Sequence, residues 1–105
     1  MFSPTILESD GDEQPTDNVE GISKVVARAL NKNQKLILFA VRNEEKETLY
    51  SLLKRLSEET AISLSTLKLN ARILRELGLI SYNGFLEITS SGRLIRSVLE
   101  GGRHG

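Results

Sequence analysis

Cysteine and tryptophan are absent from this 105-residue chain, and histidine occurs once, at position 104. Without cysteine there is no disulfide framework, no thiolate ligand for a metal and no thiol nucleophile. One histidine cannot make a multi-histidine metal site, and none is placed to serve a Ser-His-Asp triad. No phosphate-loop signature is present either. The expectation is a protein that is not an enzyme, with no catalytic residue, no metal and no cofactor. Aromatic residues make up 5% of the chain. Tyr50, Tyr82 and Phe85 are too sparse for a base-stacking platform and read as core or hairpin packing. The longest apolar run, Leu36 to Val41, is too short to cross a bilayer. No basic stretch precedes an apolar one at the N-terminus, so a secretory signal is not expected. These absences point to a cytoplasmic protein of one domain with no membrane partner.

Net charge is absent too, but its cancellation is uneven. Fourteen basic residues balance fourteen acidic ones. Six of the acids (Glu8, Asp10, Asp12, Glu13, Asp17 and Glu20) lie in the first twenty positions, which hold no base. The remainder therefore carries fourteen bases against eight acids, a formal charge of +6. Such asymmetry marks either an interaction tail attached to a nucleic-acid surface or a tail that serves solubility. Residues 1–18 hold both prolines and show no sustained period. They read as a disordered acidic tail that buries too little apolar surface to offset its ordering entropy. Residues 101–105 read as a flexible end.

Between them lies a domain over 19–100. Val19, Ile22, Val25, Val26, Ala29 and Leu30 recur at helical spacing on one face. Asn31-Lys32-Asn33 interrupts the pattern. Leu36 to Val41 fits a buried strand or a buried helix, and its flanks Gln34, Lys35 and Arg42 favour the helix. Thr48 can cap a helix whose Leu49, Leu52, Leu53 and Leu56 fall at i, i+3, i+4 and i+7. Ser57 to Ile62 reads as a connection. Ser63 or Ser65 can cap the next helix, which runs to about Leu77 and stops at Gly78. Leu79–Tyr82 and Phe85–Ile88 then flank Asn83-Gly84, a two-residue turn signal for a hairpin. Thr89 can cap a last helix with Leu94, Ile95, Val98 and Leu99 inward. Glu44, Glu45 and Glu47 read as acids favouring a helix N-terminus. The fold class is mainly α with a small β-hairpin.

Two short helices joined tightly and followed by a hairpin make a distinctive order. Three stretches carry it: Thr-Leu-Tyr-Ser-Leu-Leu-Lys-Arg-Leu (48–56), Leu-Ser-Thr-Leu-Lys-Leu-Asn-Ala-Arg-Ile-Leu-Arg-Glu-Leu-Gly-Leu-Ile (64–80) and Leu-Glu-Ile-Thr-Ser-Ser-Gly-Arg-Leu-Ile (86–95). Over residues 33–100 the chain resembles the winged helix-turn-helix domains of small bacterial and archaeal transcription regulators. The resemblance implies an α+β winged helix with an extra N-terminal helix. It also implies a nucleoid-associated regulator that binds double-stranded DNA, commonly as a homodimer.

On a helical wheel Leu64, Ala71 and Leu74 fall within about 60° of Leu67 and form the core stripe. Ser65, Lys68, Leu69, Arg72 and Glu76 fall opposite. A recognition helix presents its first turns to base edges, so Ser63, Ser65, Thr66, Lys68, Leu69, Arg72 and Arg75 are the expected DNA-binding residues. Arg72 can grip guanine bidentately, Lys68 can reach guanine or phosphate, and Leu69 can meet a thymine methyl. The simpler alternative for Lys68, Arg72 and Arg75 is a solvated helix face. A third reading comes from Leu69 and Ile73, an apolar pair on or beside that face. Such a pair fits a protein partner unless the first helix covers it. The hairpin tip carries no base, which also favours an interaction module. The dimer surface would come from Val19–Leu30 or Leu94–Leu99.

Overall fold

The structure, a computed structural model, describes residues 15–42 and 45–104. For 15–20 and 102–104 the description is of the backbone alone. Five helices and a two-stranded antiparallel sheet follow in the order α1 (Pro15–Ala29), α2 (Lys32–Ala40), α3 (Leu49–Thr60), α4 (Leu64–Glu76), β1 (Ile80–Ser81), β2 (Glu87–Ile88) and α5 (Ser90–His104). The expected class, mainly α with a small hairpin, is what the chain adopts. Leu36–Ala40 belongs to a helix and not to a strand, and Val41 follows it as an extended C-cap. Most of the acidic segment, residues 1–14, lies outside the described residues, as do Asn43 and Glu44.

Several boundaries move outward. α1 starts at Pro15, inside the stretch read as disordered. Proline suits a first helical turn because its φ is preset and its missing N–H would have no partner there. α3 runs to Thr60, through what reads as a connection. Thr60 Oγ1 accepts from the Ile62 N–H and donates to the Leu56 carbonyl, and Ala61 in the left-handed region (φ 65°) closes the turn by donating to the Ser57 carbonyl. α5 continues through Gly101 to His104 although glycine weakens a helix interior.

Asn31 does more than interrupt a pattern. It caps α2, accepting from the Gln34 N–H at 2.8 Å, and the Gln34 side chain accepts from the Asn31 N–H at 3.0 Å. That reciprocal pair satisfies two donors at the helix start. Gln34 is buried, and its Nε2 donates to Oδ1 of buried Asn70 at 3.0 Å. Asn31 Nδ2 donates to the same oxygen, and Asn70 Nδ2 donates to the Thr66 carbonyl. A polar cluster thus pins the start of α2 to the middle of α4. Each member is satisfied, which matters because an unpaired buried donor costs about 1–3 kcal/mol.

Around it lies one core. Ile37, Leu38, Leu52, Leu53, Leu67, Leu74 and Ile80 are fully buried, each contributing about 1.5–3 kcal/mol by burial. α4 packs against both α2 and α3, and α1 packs chiefly on α5. The faces of α1 and α5 expected to hold a dimer surface therefore pack in part on one another, with Ala27 of α1 and Ile95 of α5 buried.

The hairpin differs from the two-residue turn that Asn83-Gly84 suggests. Ile80 pairs with Ile88 and Ser81 with Glu87, so the connection is Tyr82–Leu86, five residues long. Gly84 takes φ 121°, but Asn83 is not left-handed. The reason is side-chain facing. A two-residue turn at 83–84 would set Ile80 opposite Glu87, on one face. The observed register sets buried Ile80 opposite buried Ile88 and leaves Glu87 exposed. Leu86 is buried as well, and its N–H donates to the Glu47 carbonyl at 2.7 Å.

Candidate nucleic-acid interface

Ser63 caps α4, with its hydroxyl accepting from the Thr66 N–H at 3.2 Å and donating to Thr66 Oγ1 at 2.9 Å. Both hydroxyls are thus engaged on their own helix. Beyond the cap, Leu67, Asn70, Ala71 and Leu74 turn inward. That stripe fixes the rotation of the helix and leaves Ser65, Lys68, Leu69, Arg72 and Arg75 exposed. Thr66 is half-buried. Of the seven expected residues, these five line one shallow groove of about 520 Å³, shared with Leu49, Tyr50, Leu53 and Tyr82. Ser63 and Thr66 stand at the helix start, outside its lining.

The charges on this surface differ in how they are held. The Arg75 guanidinium lies over the Tyr82 ring, 5.0 Å from its centroid. That cation–π contact ties the end of α4 to the hairpin. Arg55, one helix away, is neutralised by Glu47 at 3.0 Å. Glu47 therefore serves as an ion-pair partner eight residues ahead of Arg55, not only as an acid near a helix start. Glu45 lies 3.7 Å from Arg42. Among the described residues neither Lys68 nor Arg72 takes part in an ion pair. Both side chains are exposed.

Leu69 is 49% exposed, and α1 does not cover it. Ile73 is half-buried. Tyr50 is 57% exposed and Phe85 51%, so these two are surface residues and not core packing. Tyr82 is half-buried against the core, as hairpin packing requires. At the hairpin tip Lys46, from the loop before α3, stands 5.9 Å over the Phe85 ring. The tip thus borrows a cation that its own sequence lacks. The tyrosines of the groove were missed because Tyr50 falls just beside the apolar stripe of α3. Its helical position alone does not tell surface from core.

Among the described residues no group of three His, Cys, Asp or Glu side chains could hold a metal ion. None of the described helices is long and apolar enough to cross a membrane. No family model matches the chain, and no curated protein or solved structure matches it.

Proposed function

We propose that this chain is a winged helix-turn-helix DNA-binding protein, a transcription regulator that presents α4 to the major groove. The observation that carries the reading is the outward face of α4. Ser65, Lys68 and Arg72 stand exposed at three- and four-residue spacing, and both cations are unpaired among the described residues. That is the donor chemistry for guanine edges and phosphates. In this reading α3 and α4, joined by three residues, form the helix-turn-helix, and the hairpin is the wing, with Lys46 beside its tip. Thr66 and Ser63 support the helix start, and Arg75, held on Tyr82, fixes the wing against the reading helix.

The protein acts as a homodimer in this proposal, because two copies read half-sites about one helical turn apart. The faces left for a second copy are the outer ridge of α1, where Ile22 and Val25 are 63% and 67% exposed, and Leu94 on α5. The direct test is binding of the full chain to a random-sequence duplex across a salt series. Expected is a Kd of about 10⁻⁴–10⁻⁶ M that weakens steeply as salt rises. Absence of binding at low salt would remove the proposal.

A second reading has its own observation: Leu69 is half exposed between Tyr50 and the basic residues. An apolar side chain ringed by aromatics and cations also suits a protein partner. On that reading the domain is a subunit or adaptor, and Leu69→Asp abolishes partner capture while far-UV circular dichroism and Tm stay near wild type. For DNA the same substitution repels phosphate, so the two readings separate by which ligand is lost.

A further inference from the structure

A second groove, of about 500 Å³, runs between α1 and α5 and is lined by Lys24, Ala27, Arg28, Lys35, Val98, Leu99 and Gly101. It is amphipathic, with three cations on the rim over an apolar floor. Among the described residues no acid lines it and none of its three cations is in an ion pair. We infer that this groove receives the chain's own acidic N-terminal segment, residues 6–13.

Composition, charge and reach all bear on the match. The segment places apolar Ile6 and Leu7 directly ahead of Glu8, Asp10, Asp12 and Glu13. Four acids meet three bases, and two aliphatic side chains meet Ala27, Val98 and Leu99. Lys24 and Arg28 stand nine and thirteen residues along α1 from Pro15. At 1.5 Å per residue that is about 14 and 20 Å of helix axis. Residues 8–14, extended at about 3.3 Å each, span roughly 23 Å. A chain that doubles back along α1 therefore sets its acids beside Lys24 and Arg28. Full extension would carry Ile6 and Leu7 past Ala27, which stands about 18 Å along α1, so the segment reaches the floor with length to spare. The docked segment leaves the α4 face open, so this inference does not depend on DNA binding.

Because the chain has no cysteine, the test is clean. The variant Ile6→Cys/Gly101→Cys joins the segment to the groove; a β-carbon at 101 meets open space. The comparison is Ile6→Cys/Leu69→Cys, which reaches for the groove on α4. Both are oxidised in the full chain at low ionic strength, and the products are read by non-reducing electrophoresis and peptide mass. Expected is an intramolecular disulfide that forms about tenfold faster for 6/101 than for 6/69, as a docked segment's effective concentration dictates. Lys24→Glu, Arg28→Glu and Lys35→Glu together bring the 6/101 rate down to that of 6/69, with circular dichroism unchanged. Equal rates in the unreversed pair would overturn the inference. So would a faster 6/69 pair, which puts the segment on α4, or a 6/101 disulfide that joins two chains.

Discussion

Gly92→Ala lowers the melting temperature, although helix propensity alone says the opposite. Alanine in the first turn of α5 should gain about 1 kcal/mol over glycine. Position 92 is not open helix surface, however. A β-carbon there overlaps the Leu79 carbonyl oxygen and stands 2.7 Å from Ile88 Cγ1. The obstacle is backbone, and the backbone is committed. The Leu79 carbonyl accepts from the Thr89 N–H at 3.1 Å, and Thr89 Oγ1 ties the cap of α5 to the Gly78 carbonyl at 2.6 Å. The same hydroxyl accepts from the Gly92 N–H at 2.9 Å. Moving α5 away strains all three bonds and the Ile80–Ile88 pair. Overpacking of this kind costs about 1–3 kcal/mol, occasionally more. At about 4–8 °C per kcal/mol for a domain of this size, the loss is easily read in a thermal melt. Gly21→Ala is the control. It is exposed in α1, with nothing near its β-carbon position, so it should stabilise by about 0.5–1 kcal/mol. A gain at both positions would mean that α5 does not approach the hairpin as closely as the structure has it.

That close approach shows where sequence reading reached its limit. α3 and α4 were legible because each carries a local signal: Thr48 and Ser63 as caps, the leucine spacing of α3, and Gly78 (φ 79°) after α4. The outward rotation of α4 was legible as well, because Leu67, Ala71 and Leu74 leave only one face for the core. What escaped depends on contacts distant in sequence. Asn70 looks like any polar helix residue until Asn31 and Gln34 arrive from 39 and 36 positions away. The hairpin register was misread because the Asn-Gly turn preference was weighed alone. Burying Ile80 against Ile88 outweighs a favourable turn, since the other register would set Glu87 beside Ile80 at the core. The role of Gly92 was equally hidden, because its neighbours come from β2 and from Leu79, the residue just before β1. The groove on α4 was half legible. Its helix residues follow from the period, but Tyr82 comes from the hairpin and Tyr50 from the margin of α3.

Arg72→Ala should weaken binding of a preferred DNA sequence, and the pattern of loss should identify the contact. Preferred duplexes are first selected from a randomised pool with the wild-type chain. If Arg72 grips a guanine with both guanidinium nitrogens, Arg72→Ala costs about 1–3 kcal/mol on that duplex and relaxes the preference at one base pair. If it meets phosphate, the loss is uniform across sequences and the salt slope falls by about one. Arg72→Lys separates the two more sharply. It keeps the charge and gives up the planar fork, so a base contact is lost as in Arg72→Ala, while a phosphate contact survives. Position favours the first outcome. Arg72 is exposed two turns into α4, one turn past Lys68 on the same face, and no acid competes for it among the described residues. Arg75 is the internal comparison. Its guanidinium is already stacked on Tyr82, so Arg75→Ala should lose less than Arg72→Ala and should lose it evenly across sequences. Equal, sequence-selective losses at both positions would place the reading edge of α4 nearer its C-terminal end. No loss at either would remove α4 as the reading helix and leave its groove to a protein partner.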